Sequence, residues 1–459
     1  MTTQRLCGLF LFAAAVLLVV STFSPQKRAD AKTRPDTQGP LDVQEPREAT
    51  RRPAPDRKRE LTPTEALGKE LFFDKNLSSP RGQACASCHD PATGFTSPSS
   101  EINAAGAVMP GAVEERFGNR KPPSVAYAGD SPVLHFRGTD GGFGGWVGGL
   151  FCDGRATGQT LGDPLVEQAT QPFTNPVEQN LKDAQAVVRR VSRSEYAGLF
   201  ERAWGPGSLD LKDVEGTLEL IGQSIAAYER SHEVSAFTSK FDFVLAGEAE
   251  LTEQEALGLE LFNGKAACFF CHSSAQGEDG EAPLFTDFTY HNIGTPKNPE
   301  NPFYDQPRRI NPDGTDFIDP GLGGFLESEG YATEVYEAEW GKHKVPTLRN
   351  VDARPNRRFV RAYGHNGVFK SLEEIVSFYN TRDVGDWPEA EVQQNVNPFI
   401  GDLGLTDDEE AAVVAFLKTL TDGYKPPRKR SGQPGEEDRD RRGSRDEPPS
   451  SPAEQQRRQ

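Results

Sequence analysis

The chain is short of positive charge and of methionine. Its 459 residues include 51 lysines and arginines against 69 aspartates and glutamates, which gives a formal net charge of −18. Nucleic-acid binding needs clustered positive charge, so this balance argues against a nucleic-acid partner. Met1 and Met109 are its two methionines, so no methionine thioether is available beyond residue 109. The length is sufficient for two or three domains, each with a buried core.

Apolar residues are scarce near both ends of the chain, with one exception. An apolar run covers residues 6–23, and the small residues that follow suggest a cleavage site. We therefore expect residues 1–31 to be a signal peptide or a membrane anchor, and either would export the remainder. Residues 32–58 and 425–459 are rich in proline and charge and bury too little apolar surface to offset chain entropy, so we expect both to be disordered.

Only six cysteines are present, and four of them occur in two copies of one motif. Residues 85–89 read CASCH and residues 268–272 read CFFCH. C-x-x-C-H is the attachment signature of c-type haem, in which the sulfurs hold the porphyrin and the histidine binds the iron. A thioredoxin-like pair would not need either histidine, and a four-cysteine zinc site would have to join distant parts of the chain. The residues expected to hold two covalent haems are Cys85, Cys88, Cys268 and Cys271, with His89 and His272 as iron ligands.

A second repeat precedes each of these motifs. Residues 61–72 and 251–262 are identical at nine of twelve positions, and each copy begins with a capping box that predicts a helix start. In both copies leucines recur at helical spacing, which predicts a face that packs against a haem domain. The capping pairs are Thr62 with Glu65 and Thr252 with Glu255, and the leucines are Leu67, Leu71, Leu257 and Leu261.

Apolar periodicity also predicts a helix after each haem motif, at residues 211–230 and 405–420. A cytochrome c domain needs helices before and after its motif to enclose the cofactor. We therefore predict a mainly α fold with two tandem cytochrome c-like haem domains, residues 59–240 and 241–424, which carry long loops rich in glycine and proline.

Seven stretches, in the same order, resemble the bacterial di-haem cytochrome c peroxidases and their MauG relatives. They read LGKELFFD at 67–74, CASCHDP at 85–91, DGRA at 153–156, NPVE at 175–178, VPTLRN at 345–350, HNGVF at 365–369 and SLEE at 371–374. Members of this family are periplasmic enzymes in which one haem reacts with hydrogen peroxide and the other passes electrons. The resemblance implies an open iron on His89 and an iron capped on both sides on His272.

The resemblance places the outer ligand of the second iron at Tyr379. Methionine is usual there in the peroxidase branch, but neither methionine of this chain lies at that position, and MauG-type enzymes use tyrosine. Ser371 and Glu374 predict a capping box, after which Leu372, Val376 and Tyr379 share one helical face, so the phenol should point inward. The alternative is an ordinary core tyrosine whose hydroxyl bonds to a neighbour.

For the open iron, the resemblance points to Glu178 and Gln168. A carboxylate beside bound peroxide can move a proton between the two oxygens, and the glutamine would help to position the peroxide. The alternative is that Glu178 only caps a helix, because residues 175–178 also read as a capping box. Cys152 occupies the position of a tryptophan that typically relays electrons between the haems in this family. A thiol does not offer an indole radical, and passive packing is the alternative role.

The family often binds calcium between its domains. By resemblance, the Asn119 side chain and the backbone carbonyls of Lys344 and Pro346 would be the ligands, and oxygen donors suit calcium. Other histidines of interest are His291 and His365, as hydrogen-bonding groups, and His135, as a displaceable iron ligand.

Together these features predict an exported, periplasmic di-haem oxidoreductase that reacts with hydrogen peroxide. Its electrons would come from a donor protein or, in a MauG-like role, from a side chain of a protein substrate. An ordinary cytochrome c peroxidase that removes peroxide is the alternative enzyme, and a non-catalytic di-haem electron carrier is the alternative outside enzymes. A rapid spectral change with peroxide separates the enzymes from the carrier.

Overall fold

Helices dominate the part of the chain that the computed structural model describes, which is residues 59–138, 144–277 and 280–427. The mainly α character is therefore confirmed. Residues 1–31, 32–58 and 428–459, which include the predicted export segment, linker and most of the tail, lie outside these ranges. The helices are α1 (Pro63–Phe73), α2 (Ser100–Ala104), α3 (Pro164–Thr170), α4 (Ala184–Val191), α5 (Ala197–Trp204), α6 (Val214–Glu229), α7 (Lys240–Leu245), α8 (Glu253–Asn263), α9 (Gly321–Ser328), α10 (Thr333–Glu337), α11 (Leu372–Thr381) and α12 (Asp407–Lys418).

Strands are short in the described ranges and form two antiparallel pairs. The first joins β1 (His135–Arg137) to β2 (Gly145–Val147). The second joins β3 (Tyr290–His291) to β4 (His343–Lys344), with Tyr290 opposite Lys344. This second pair brings two segments far apart in sequence next to each other.

Each haem motif lies beside a pair of crossing helices. In the N-terminal half α1 crosses α6, and in the C-terminal half α8 crosses α12. The two motifs themselves form short 3-10 helices, Cys85–Ser87 and Cys268–Phe270. Separate apolar cores surround the crossings, one built around Phe72 and Ile225 and the other around Phe262 and Phe416.

Glycine makes both crossings possible. A Cβ atom on Gly68 would lie 1.9 Å from the Ser224 carbonyl oxygen, and one on Gly258 would lie 1.9 Å from that of Ala412. Such distances are far below any van der Waals contact, so neither helix pair could approach this closely with a larger residue. The repeated sequence thus produces the same close packing in both halves.

Most predicted helix starts are confirmed, but the structure differs from the sequence predictions in four details. The capping boxes at Thr62 and Thr252 form, and the two later helices begin at Val214 and Asp407, two to three residues after the predicted starts. Ser371 accepts the N–H of Glu374, but Glu374 accepts the N–H of Lys370, so only half of that box exists.

The other two differences concern Leu257 and residues 175–178. Leu257 is 43% exposed, so its predicted place on the packing face is wrong, whereas Leu67, Leu71 and Leu261 are buried. No helix begins at Asn175, because residues 176–179 form turns. None of the helices in the described ranges combines the length and apolar character needed to cross a membrane.

Candidate active site and haem-binding residues

A cavity in the N-terminal half contains about 1300 Å³ of space, part of it open to solvent. Its walls include Cys85, Cys88, His89, Gln168 and Glu178. Residues from two distant stretches of sequence, one predicted to attach a haem and the other to handle peroxide, therefore surround one space.

His89 is held in an orientation that suits an iron ligand. Its Nδ1 lies 3.1 Å from the carbonyl oxygen of Phe95. Burial lowers the pKa of His89 to about 4, so the ring is neutral near pH 7. A neutral imidazole that donates from Nδ1 keeps a lone pair on Nε2 for a metal.

The cysteine side chains fit thioether attachment better than the alternative chemistries. Cys85 and Cys88 are free thiols, and burial raises the pKa of both, that of Cys88 to about 12. A reactive redox pair instead needs a lowered thiol pKa. Among the described residues, the one metal-ligand group that contains a motif cysteine joins Cys271 to Asp287 and His291, so the four-cysteine zinc alternative is not supported.

Glu178 lies on the wall of the N-terminal cavity and is not a helix cap. Burial raises the pKa of its carboxyl group, and Arg155 acts in the opposite direction. The amide of Asn175 donates to Glu178 Oε1 at 3.0 Å, which holds the carboxyl group in place. Gln168 reaches the same wall from α3, whose first turn is capped by Asp163.

The C-terminal motif repeats the histidine geometry. His272 Nδ1 lies 2.7 Å from the carbonyl oxygen of Phe285, and burial lowers the pKa of His272. Burial raises the pKa of Cys268 and of Cys271 to about 12. These residues therefore fit a second haem in the same way as the first set.

Tyr379 lies on α11 close to the second pair of cysteines. It packs against the same apolar core as Cys268. Burial raises the pKa of the phenol, and charge on the neighbouring sulfurs of Cys271 and Cys268 would raise it further. A phenol in these surroundings stays neutral unless a cation faces its oxygen, which is what a ferric iron would provide.

Cys152 lies where the two halves meet. It lines the N-terminal cavity, and its carbonyl oxygen accepts the backbone N–H of Lys344 at 2.9 Å. Lys344 belongs to β4, which pairs with the strand that carries His291, close to Cys271. Burial raises the pKa of the Cys152 thiol, and Arg120 lowers it.

Two of the residues predicted to bind calcium make contacts through nitrogen atoms, which are not the predicted oxygen ligands. The Asn119 amide nitrogen donates to Asp319 at 3.2 Å, beside the guanidinium group of Arg120. The Lys344 ammonium group donates to the carbonyl of Gly148 at 2.9 Å. Calcium binding stays a prediction that these contacts do not support.

Sequence reasoning missed four charged residues on the cavity wall: Arg120, Lys121, Arg155 and Glu229. Burial raises the pKa of Glu229 to about 8 and lowers that of Lys121 to about 8. Arg155 belongs to the DGRA stretch and was available as a candidate, whereas nothing local distinguishes Lys121 or Glu229. His135 is exposed on β1.

Comparisons with known proteins agree with this geometry. The family model described as di-haem cytochrome c peroxidase matches residues 62–250. The chain is 37% identical to the methylamine utilization protein MauG of Paracoccus denitrificans over 377 residues, which cover 79% of this chain and 89% of that protein. It is 27% identical to the cytochrome-c peroxidase IdrP2 of Denitromonas iodatirespirans, over 77% of this chain and 80% of that protein.

Among solved structures, a diheme peroxidase and a MauG-like protein are also similar to this chain. The diheme peroxidase BthA of Burkholderia thailandensis matches with a TM-score of 0.67 and 32% identity, over 79% of this chain and 87% of that one. A MauG-like protein associated with microbial copper homeostasis matches with a TM-score of 0.55 and 25% identity, over 84% of this chain and 96% of that one. The chain therefore belongs to the di-haem cytochrome c peroxidase and MauG family of oxidoreductases.

Proposed function

We propose that this protein is a periplasmic, MauG-like di-haem oxidoreductase that reacts with hydrogen peroxide at its N-terminal haem and passes electrons through its C-terminal haem. The N-terminal domain would be residues 59–240 and the C-terminal domain residues 241–424. When bound, the haems supply irons that exchange electrons and, at an open position, bind peroxide. Cys85, Cys88 and His89 would hold the first haem, and Cys268, Cys271 and His272 the second.

One observation carries the proposal: the N-terminal cavity unites a haem-attachment motif with Gln168 and Glu178. The raised pKa of Glu178 suits a group that must both accept and return a proton. We infer that its carboxylate takes the proton from one peroxide oxygen and delivers it to the other, so that the departing oxygen leaves as water. Gln168 would orient the peroxide by hydrogen bonding.

The residues of the C-terminal haem site favour a MauG-like role over that of an ordinary peroxidase. Methionine is absent beyond residue 109, and Tyr379 stands beside the C-terminal cysteines. A phenolate is an anionic oxygen donor, so it would stabilise the oxidised state of the iron it binds. That property suits the oxidation of a distant protein side chain better than the simple transfer of electrons. The reductant would be a protein, either an electron donor or a modified substrate.

Electron paramagnetic resonance of the oxidised, haem-loaded protein tests the ligand assignment. Replacement of Tyr379 by Phe should remove the low-spin signal of the C-terminal haem, because the phenolate oxygen is lost. Tyr363→Phe is a matched control, since Tyr363 belongs to the same apolar core and bonds to the Val351 carbonyl. Unchanged low-spin signals in Tyr379→Phe would remove the tyrosine ligand and with it the argument for a MauG-like role.

A second measurement tests the reaction itself. Mixing the protein with hydrogen peroxide should change the haem spectrum rapidly, and a protein with no such change would be an electron carrier. Efficient turnover with a small donor cytochrome would instead indicate an ordinary cytochrome c peroxidase. That alternative has support from the 27% identity to a cytochrome-c peroxidase.

A further inference from the structure

A second cluster of ligating side chains lies away from both C-x-x-C-H motifs. It consists of Asp319, His343 and His365, each of which offers one ligating atom within 4.8 Å of those of the other two. A further carboxylate, that of Glu391, lies 3.7 Å from His365 Nε2. We call these four residues the histidine–carboxylate cluster. They come from four segments of the C-terminal half that are separate in sequence.

The histidine–carboxylate cluster is buried. The side chains of Asp319 and Glu391 are each 4% exposed, that of His365 is 9% exposed and that of His343 is 12% exposed. Buried polar atoms are normally hydrogen-bonded, because an unpaired one costs about 1–3 kcal/mol. Every buried polar atom in such a cluster therefore needs a hydrogen-bond partner or another interaction that compensates for its burial.

Two nitrogen atoms of the cluster have no hydrogen-bond partner. These are Nε2 of His343 and Nε2 of His365. His343 Nε2 lies 3.4 Å from Asp319 Oδ1, which is long for a hydrogen bond, and the separation between His365 and Glu391 is longer still. Both nitrogens thus face carboxylate oxygens without a close bond to them.

The tautomer of His343 explains why a proton does not bridge this gap. Its Nδ1 lies 3.1 Å from the carbonyl oxygen of Gly341, so Nδ1 carries the hydrogen. With the hydrogen on Nδ1, a neutral His343 ring presents the Nε2 lone pair toward an anionic oxygen, and a metal cation between the two atoms would make that arrangement favourable.

We propose that Asp319, His343 and His365 bind one divalent transition-metal ion of the zinc class, with Glu391 beside them. Imidazole nitrogen combined with carboxylate oxygen is a donor set that suits zinc, copper or nickel, whereas calcium prefers oxygen ligands alone. The bond from His343 Nδ1 to a backbone carbonyl is the outer contact that metal-binding histidines usually make.

Asp319 is held in place by further contacts to both of its oxygens, and a carboxylate keeps acceptor capacity beyond them. Arg120 donates to both oxygens at 2.6 and 2.7 Å, and the backbone N–H of Gly321 donates to Oδ1 at 3.0 Å. Arg120 also pairs with Asp153, so its positive charge is balanced by two carboxylates and does not oppose a cation at the imidazoles.

Metal binding requires a small adjustment. The imidazole rings of His343 and His365 are stacked, with centroids 3.6 Å apart and planes inclined by 8°. Nitrogen and oxygen ligands lie about 2 Å from zinc, so the ligating atoms must approach one another by about 1 Å. Because the rings are nearly parallel, at least one must rotate about its side-chain bonds for both Nε2 atoms to face one ion.

The proposal is independent of the haem chemistry, since neither His343 nor His365 lines the N-terminal cavity. A bound ion would instead tie together three separate segments of the C-terminal half, close to Arg120 from the N-terminal half. We therefore expect the ion to stabilise the fold and to leave the haem spectra unchanged. Metal content and thermal unfolding are thus the informative measurements.

The experiment uses the haem-loaded full-length protein. After treatment with a strong chelator and its removal, zinc should bind at one equivalent per chain, measured by mass spectrometry of the metal content, and should raise the unfolding temperature. Excess calcium should not displace it. His365→Gln and His343→Gln should each weaken zinc binding by at least about 100-fold. His135→Gln, which changes an exposed histidine, is the matched control and should bind zinc like the unaltered protein.

Two results would overturn the proposal: no zinc retained at one equivalent, or equal zinc retention in the cluster variants and the unaltered protein, which would mark the ion as adventitious. If a variant fails to fold, the unaltered protein still gives an answer. Zinc should then protect His343 and His365, but not His135, from acylation by diethyl pyrocarbonate, as mapped by peptide mass spectrometry. Acylation of both cluster histidines at the same rate with and without zinc would also overturn the proposal.

Discussion

Glu178 is the residue on which the proposed proton transfer depends. Because burial raises its pKa, the carboxylate is lost at a higher pH than in an exposed glutamate as the pH falls. The rate of reaction with peroxide should therefore decline as the pH drops through this raised pKa. Glu178→Gln should lower the rate by about 100-fold or more and remove that part of the pH profile, as measured by stopped-flow spectroscopy.

A matched control for Glu178 is Glu229→Gln, which changes another carboxyl group on the wall of the same cavity. It should keep the acidic limb of the pH profile. If Glu178→Gln retained both the rate and the limb, Glu178 would not be the group that moves the proton.

Cys152 lies where the family resemblance predicts a tryptophan, at the junction of the halves. A thiol in place of an indole leaves no aromatic ring to carry an electron there. Cys152→Trp should therefore speed reduction of the N-terminal haem by the C-terminal one, as followed by rapid-mixing absorbance. Cys152→Phe supplies similar bulk without the indole and should not give the same gain. Equal transfer rates in all three proteins would show that this position does not limit transfer.

At the scale of elements, a capping pattern begins a helix only where the residues after it continue in the helical conformation. Thr62 and Thr252 cap helices that then run for eleven residues. The same kind of pattern at Asn175 gives turns instead, because Gln179 and Leu181 donate their N–H groups back to the carbonyls of Pro172 and Phe173. That reversal brings Glu178 to the cavity wall.

The crossing of α8 and α12 at Gly258 provides a test at this scale. Gly258→Ala should destabilise the haem-loaded protein by about 1–3 kcal/mol, because the new methyl group meets the Ala412 backbone and the helices must separate. Gly198→Ala, in a helix where the nearest atom is the flexible Arg202 side chain, should be neutral or stabilising by up to about 1 kcal/mol. Denaturant unfolding compares them, and equal effects would contradict the close crossing.

At the scale of the whole molecule, buried arginines join segments that are far apart in sequence. Arg120 bridges Asp153 and Asp319, and Arg349, one of the largest fully buried side chains, pairs with Asp242 at 2.9 Å. Breaking such a buried pair by removing one partner commonly costs about 3–5 kcal/mol. The family motif VPTLRN at 345–350 thus includes a residue with a structural role.

The predicted calcium site can be tested through the stability of the whole molecule. Arg120 places a positive charge beside Asn119, and that charge opposes a cation bound to the Asn119 side chain. Chelation with EGTA, which prefers calcium, should therefore leave the unfolding temperature unchanged, as measured by calorimetry. Finding one calcium ion per chain by metal analysis, together with a lower unfolding temperature after chelation, would contradict this expectation and support the calcium site.

The sequence by itself determined the features that depend on neighbouring residues. Two cysteines and a histidine within five positions predict haem attachment, and a threonine followed by a glutamate three residues later predicts a helix start. These patterns are local, so no knowledge of the fold was needed to find them. The family resemblance then supplied Glu178, Gln168 and Tyr379 as candidates.

Only the tertiary structure decided which side chains meet. Leu67 and Leu257 occupy matching positions in the repeat, yet one is buried and the other exposed, because a periodic pattern marks a helix face without naming what covers it. Likewise, His343 and His365 stack although 22 residues separate them in sequence. Contacts of this kind depend on how loops fold over one another, and that folding results from packing across the whole chain.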